Sequence, residues 1–302
     1  MTKKVAVVAV GGNALIQDKS KKSVEDQFDA AKATMEHIVS MIEQGWDVVL
    51  THGNGPQVGF ILRRSELSMP ELHAVPLDYC GADTQGAIGY MFQKALHNHF
   101  TKKNVDKHAV TVVTQVEVSK EDPAFENPSK PIGSFLDEAT AKERMLTGKT
   151  FVEDSGRGWR QVVPSPKPMT IIELDAIRKL VESGFVVVAA GGGGIPVVEK
   201  DGGGLKGIEA VSARYLTKLM YKIKRVNIKR GFKVETFIQG HCDLCARKCP
   251  NREKPPCKRG GLPSLEATGI NVYSLMDQFK IPYEYPVMSY LTQVTLMAVR
   301  RA

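Results

Sequence analysis

Two sets of residues in this 302-residue chain have the types and spacing to do chemistry. The first is glycine at the ends of apolar runs, in "KVAVVAVGGNAL", "WDVVLTHGNGPQVG" and "FVVVAAGGGGIPVV". Glycine lets a backbone N–H approach an anion closely, and a helix starting just after it adds a favourable dipole. None of the three is a G-x-x-x-x-G-K-[ST] phosphate loop, and none is G-x-G-x-x-G. A tight turn alone explains one such segment; three in one chain favour an anion site. The second set is Cys242, Cys245, Cys249 and Cys257, spaced C-x2-C-x3-C-x7-C. Four thiolates this close suit tetrahedral Zn²⁺. The C-x2-C-x3-C run followed by Pro250 equally suits an iron–sulfur cluster. Arg247, Lys248, Arg252, Lys254, Lys258 and Arg259 would offset the negative charge of either, and His241 is an outside candidate as ligand. Four free surface thiols are the plain alternative.

The elements that must position these residues read as alternating strands and helices. "KVAVVAV" and "WDVVLTH" are β-branched runs that feed glycine turns, as buried parallel strands do. Between them, Phe28, Ala31, Met35, Ile38, Val39 and Ile42 recur at helical spacing and stop at Gly45. "DTQGAIGYMFQKALHNHF" and "TIIELDAIRKLVESG" read as further helices, and "HAVTVVTQVEV" as one further strand. "EDPAFENPSKPIGSF" is rich in proline and polar residues and reads as a loop or small excursion. Strands alternating with helices predict an α/β fold with a mostly parallel sheet covered on both faces. Ligands bind such sheets at the carboxyl ends of the strands, where all three glycine turns would gather.

Composition bounds the setting. The chain is 42% hydrophobic and 25% charged, ordinary for a globular protein. No apolar run reaches the roughly eighteen residues of a membrane span. The N-terminal run ends in Gly-Gly-Asn without a small-residue cleavage site, so a first strand is expected there, in a cytoplasmic protein. Four clustered cysteines in a reducing compartment suggest metal rather than disulfides. The charge changes sign along the chain. Residues 1–211 hold 24 Lys/Arg against 27 Asp/Glu, whereas 212–302 hold 17 against 6. This marks a boundary near 212, between a first domain, 1–211, and a basic module, 212–302. The basic end is the one part suited to nucleic acid. Aromatic interleaving there is sparse, and a solvated basic surface is the favoured reading.

The segments "VVAVGGNAL", "VVLTHGNGPQVG", "DTQGAIGYM", "FENPSKPIGSF", "VEDSGRGWRQVVPSPKP" and "AAGGGGIPVV" follow one another between residue 4 and about residue 211. This part of the chain resembles carbamate kinase, of the amino acid kinase superfamily. The resemblance implies a three-layer α/β/α sandwich. It implies reversible phosphate transfer between ATP and carbamate with Mg²⁺, giving carbamoyl phosphate, in a homodimer that often makes ATP in arginine breakdown. By the same resemblance, Gly11, Gly12 and Asn13 would hydrogen-bond the transferring phosphoryl group. Gly53, Asn54 and Gly55 would form the facing turn that holds the small acid. Lys130 matches a lysine that reaches over the site from a protruding subdomain. The catalytic set is then Lys130, Gly11 and Asn13. Arg157 and Arg160 lie in a matched segment but receive no chemistry. His52 is read as packing beside its turn, and Cys80 as an inert buried thiol.

The resemblance stops after "GIEAV". The family continues Ile-Asp-Lys-Asp, where this chain has Ser212, Ala213, Arg214 and Tyr215. Arg214 keeps the positive charge, but a guanidinium is not interchangeable with an ammonium, and Tyr215 cannot replace a carboxylate. The Gly-Ser-Met-x-Pro-Lys segment of the family's nucleotide side has no counterpart after residue 211. One preorganised charge contact is worth about 2.7–4 kcal/mol at a transition state, so losing the acid alone would slow such an enzyme by roughly 10²–10³. A shortened sheet would also expose an apolar edge unless 212–302 or a second copy covers it. Residues 216–290 are similar to a family of small predicted metal-binding proteins, whose cysteines precede an Arg-Pro-Ser-Met-Glu-Ala-x-Gly-Ile motif. Here "LPSLEATGI" puts Leu262 and Leu265 in place of the Arg and Met. A small cysteine-rich α+β module is expected, without that family's own N-terminal cysteines. Three readings stand: a carbamate kinase-like phosphotransferase with a replaced C-terminal half, a silent anion-binding protein coupled to a metal or iron–sulfur module, or the product of a chimeric gene.

Overall fold

The computed structural model describes residues 5–11, 15, 16 and 23–211 in full, and Lys4, 232–237 and 294–301 as backbone. In chain order the elements are β1 (Lys4–Val10), α1 (Val24–Glu43), β2 (Trp46–His52), α2 (Gly55–Ser68), α3 (Leu77–Lys103), β3 (Ala109–Val112), β4 (Gln115–Val118), β5 (Lys130–Leu136) and α4 (Glu138–Met145). They continue with β6 (Thr150–Glu153), β7 (Trp159–Val163), β8 (Pro168–Ile171), α5 (Leu174–Glu182), β9 (Val186–Ala189), β10 (Ile195–Glu199), β11 (Leu205–Gly207), β12 (Phe232–Phe237) and β13 (Val294–Arg301).

β1, β2, β9 and β3 lie side by side in that order and all run parallel. Their side chains alternate between two cores, as the period of two in a strand requires. Ala6, Val8, Val10, Val48, Leu50, Val186 and Val188 meet Met35, Ile38 and Val39 of α1 and Ile88, Phe92 and Leu96 of α3. Val7, Val49, Val187 and Ala189 face the other way, onto Ile177 and Val181 of α5 together with Val116 and Ile171. The expected α/β/α layering is therefore present. Ser23 opens α1 with a capping box, its hydroxyl accepting from the Asp26 N–H while the Asp26 carboxylate accepts from the Ser23 N–H.

The edge of β1 is covered. β13 pairs with it antiparallel from Val5↔Val299 to Val10↔Val294, and β12 pairs antiparallel with β13. Strands from the basic C-terminal part thus complete the sheet to six. The cysteine run, the stretch from 212 to 231 and the remainder of that module lie outside the described residues, as do Gly12 and Asn13.

The structure corrects two sequence readings. "HAVTVVTQVEV" is two strands: β3 belongs to the first sheet, whereas β4 belongs to a second one, ordered β11-β10-β4-β8. The break falls at Val113 and Thr114, where no glycine or proline marks it. Side-chain bonding produces it, since the Thr114 N–H donates to Gln85 Oε1 rather than to a neighbouring strand. The proline-rich excursion, in turn, ends in a strand. β5 is the outer strand of a three-stranded sheet, β5-β7-β6, and an edge position tolerates Pro131. Among the described residues no helix is long and apolar enough to cross a membrane.

Candidate anion site at the carboxyl edge of the sheet

β1, β2 and β9 end at Val10, His52 and Ala189, so all three glycine turns leave from one edge. The first two are joined directly, as the Gly53 N–H donates to the Val10 carbonyl at 2.9 Å. The second meets the third at Gly192, where a Cβ would overlap the Asn54 amide group. Gly192 also has φ +65°, a conformation that side chains resist, so two separate constraints demand glycine there. Asn54 precedes α2 without capping it by its side chain, which lies against the opposing turn instead. Its Oδ1 is buried and accepts no hydrogen bond among the described residues. A polar atom left so commonly marks a place for a ligand or water. The amino end of α2 starts at the same point and favours negative charge.

The turns rest on buried polar groups. His52 is 2% exposed, and its Nδ1 lies 3.1 Å from the Gly53 carbonyl oxygen. That oxygen only accepts, so Nδ1 carries the proton and the ring donates. Burial pushes the His52 pKa down to about 4, the bond to Gly53 opposing it weakly, so the imidazole is neutral around pH 7. Phe92 meets the ring edge-on at 5.9 Å between centroids. The sequence gives His52 a packing role, and the structure adds that it anchors the Gly53 peptide. Behind β9, the Thr51 hydroxyl donates to the Ala190 carbonyl, and the Ala190 N–H donates to Thr114 Oγ1, each at 2.9 Å.

Lys130 begins β5 and is half-buried. Two residues on, Ile132 packs in a cluster with Val58, Leu77, Cys80, Val163 and Val211. Val58 belongs to the first turn of α2, so this contact docks the three-stranded sheet beside the Gly53 turn. Gly59 and Gly133 permit it, because a Cβ on Gly59 would stand 3.1 Å from the Gly133 Cα. Burial lowers the Lys130 pKa and the nearby Arg160 charge lowers it further. Arg160 donates to the Gly133 carbonyl and faces Asp154, a structural engagement. Cys80 is fully buried, and desolvation raises its pKa to about 11, which keeps the thiol protonated and inert. Gly53 and Asn54 are half-buried and Gly55 is exposed; Gly11 follows β1 directly. Val211 packs inside the Val58–Ile132 cluster, its N–H bonded to the Pro164 carbonyl. The last residue before the departure thus packs at the flank of this site.

The sequence reading missed Thr51, Gln85 and Thr114, which touch the turns from behind. The signal was a glutamine inside "DTQGAIGYM", at a position that the helix buries. Among the described residues no group of three or more His, Cys, Asp or Glu side chains is placed to hold a metal ion.

The amino acid kinase family pattern matches residues 4–215, and that of "Predicted metal-binding protein (DUF2284)" matches 198–299. A carbamate kinase-like protein of Escherichia coli, YahI, is 49% identical over 213 residues, 69% of this chain and 67% of its own length. Carbamate kinase of Pyrococcus horikoshii is 49% identical over 209 residues, covering 68% of this chain and 66% of its own. The chain thus spans about two thirds of the length of these relatives. Carbamate kinase from Giardia lamblia bound to AMP-PNP superimposes with a TM-score of 0.68 at 39% identity, over 74% of this chain and 71% of that one. The chain therefore belongs to the amino acid kinase family, carbamate kinase-like through residues 4–215, with a DUF2284 region joined to that part.

Proposed function

We propose that the carboxyl edge binds carbamate and carbamoyl phosphate, and that the chain transfers a phosphoryl group reversibly between ATP and carbamate at a reduced rate. The observation that carries this reading is the meeting of three glycine turns at one edge, with Asn54 set against Gly192. Phosphoryl transfer asks a protein mainly for positioning and charge neutralisation, and backbone N–H groups at such turns supply both. Gly11, Gly12 and Asn13 hold the phosphoryl group, residues 53–55 hold the small acid, and Lys130 neutralises charge from above. ATP or ADP with Mg²⁺ is the second substrate, a role supported by the relative that binds AMP-PNP. The fit is only partial, since the described residues offer cradles for an anion but no cluster of three or more His, Cys, Asp or Glu side chains placed for Mg²⁺. The protein works as a cytoplasmic homodimer of chains whose two regions, 1–211 and 212–302, meet near residue 212 and share one sheet through β12 and β13. Cys242, Cys245, Cys249 and Cys257 hold Zn²⁺ or an iron–sulfur cluster in the second domain.

The second reading, a silent anion-binding protein coupled to that metal module, is favoured by one observation. Ser212, Ala213, Arg214 and Tyr215 replace the family's Ile-Asp-Lys-Asp immediately after Val211, which packs beside the site. A coupled assay for ATP formation from ADP and carbamoyl phosphate, on metal-reconstituted protein, separates the two. Turnover that disappears in Asn54→Ala supports the enzyme. Calorimetric binding of carbamoyl phosphate without turnover supports the sensor, and absence of binding rejects both.

A further inference from the structure

β3 and β9 run parallel as neighbours in the first sheet, and their continuations β4 and β10 run parallel as neighbours in the second. Both segments therefore cross between the same two sheets at the same place. The pairs Val112↔Ala189 and Gln115↔Ile195 bracket the crossing. One segment makes it with two residues, Val113 and Thr114; the other takes five, 190–194. The fold itself needs only the shorter connection. The three surplus residues make a glycine turn that bulges at the carboxyl edge, and such irregularities gather at functional sites.

That turn is held in an unfavourable shape. Ala190 has φ +52°, uncommon for a residue with a side chain, and Gly192, Gly193 and Gly194 also have positive φ. A conformation of this kind persists when its surroundings over-determine it. Thr51 and Thr114 hold Ala190, and the Gly194 N–H donates to the Gly191 carbonyl within the turn; the group that reaches this carbonyl from outside it is Gln85 of α3, which is 2% exposed. Its Nε2 donates to the Gly191 carbonyl at 2.8 Å and to the Thr114 carbonyl at 3.1 Å. Its Oε1 accepts from the Thr114 N–H at 2.7 Å. One amide thus grips both crossings, and its orientation is fixed because only Oε1 can accept and only Nε2 can donate. A Cβ on Gly191 would meet both the His52 ring and Gln85 Cγ, so the two side chains close on that residue together.

We propose that Gln85 is the positioning residue of the third glycine turn: by drawing the Gly191 carbonyl inward, it turns the Gly192 N–H outward to serve the bound anion. A trans peptide points its C=O and N–H in opposite directions, so fixing one fixes the other. The proposal rests on the reading of this edge as an anion site, and its test separates the two. Carbamoyl phosphate binding by calorimetry, amide hydrogen exchange at 190–194 and thermal unfolding are measured on the full chain for wild type, Gln85→Leu and Gln85→Glu. Gln85→Leu is expected to fold, to exchange faster at 190–194 but not along α1, and to bind about tenfold more weakly. In Gln85→Glu an ionised carboxylate cannot donate to Gly191, whereas the protonated acid can. Its affinity relative to wild type therefore recovers as pH falls, which a loss of packing would not produce. Should Leu unfold the chain, Gln85→Glu carries the test. Unchanged exchange at the turn, or wild-type affinity in both variants, overturns the proposal. A wild-type protein that binds no anion sinks the function instead, and exchange at 190–194 still reports whether Gln85 sets the peptide.

Discussion

The two walls of the candidate site are built by different physics. The carboxyl edge is held by neutral hydrogen bonds inside the core: Thr51 to Ala190, Gln85 to Gly191, His52 to Gly53. The three-stranded sheet that carries Lys130 is held to α2 partly by charge. Glu66 of α2 receives Arg144 of α4 at 2.8 Å and Lys149, just before β6, at 3.4 Å. Buried neutral bonds are costly to break and fix one geometry. Partly exposed ion pairs are weaker and can re-form at slightly different lengths. The edge is thus a rigid floor under the proposed anion site, and the three-stranded sheet a compliant arm beside it. The proposed reaction, which must orient one small acid and still admit a nucleotide, has use for both.

The largest effect that breaks this contrast is expected at the floor. Gly192→Val places a β-branched side chain at φ +65° and on the Asn54 amide. Carbamoyl phosphate binding should vanish in calorimetry and the melting temperature should fall. Gly202→Val is the control, because its φ is +86° but nothing lies within 4 Å of its Cβ position. It should cost only the dihedral strain, about 1–3 kcal/mol, and leave binding intact.

The arm should answer differently. Lys130→Ala is expected to lower turnover by roughly 10²–10³ while barely moving the melting temperature. Burial and Arg160 both lower the Lys130 pKa, so the ammonium is lost at a lower pH than an ordinary lysine. The alkaline limb of the rate profile should fall correspondingly early, and Lys130→Arg should shift that limb upward. An unchanged profile in Lys130→Arg would remove this lysine from the chemistry.

His52 sharpens the contrast through pH. Its folded pKa, about 4, lies below the ordinary 6.5, so the unfolded chain takes up the proton first. The stability it contributes is complete above about pH 6.5 and drains away down to about pH 4. Chemical denaturation across that window should show a slope that His52→Gln reduces.

How far each wall could be read beforehand follows from the same physics. The parallel strands, α1 and the three turns announce themselves through β-branched runs and glycine, and so does the edge where they gather. The arm was half legible: its prolines marked an excursion, and only the register of Lys130↔Val163 and Pro131↔Val162 makes β5 a strand. The break at Thr114 was not legible, because a threonine bonded sideways looks like any threonine in a strand. Gln85 was hidden for a related reason. A polar residue on a helix reads as surface until the fold supplies carbonyls for it to grip. An exposed apolar sheet edge is a liability that the sequence announces, but the pairing of β13 with β1 that covers one edge spans nearly three hundred residues, which local sequence does not encode.

The smallest effect is expected at the hinge between the walls. Burial pushes the Glu66 carboxyl upward in pKa, yet Arg144, Lys149 and Arg63 together hold it below its ordinary value. Its side chain is 14% exposed, so solvent screens these pairs only in part. Glu66→Gln keeps the shape and removes the charge, and should cost about 1 kcal/mol, as a small ion-pair network does. The sign of the pH dependence is set by the lowered pKa. The contribution is whole above the ordinary carboxylate pKa and is lost as pH falls through the folded value, so wild type and Glu66→Gln should converge in acid. If the arm is compliant, Glu66→Gln should also raise hydrogen exchange in β5, β6 and β7 while leaving 190–194 untouched. Exchange that rose equally at both walls would mean that they move as one body, and the contrast between floor and arm would fail.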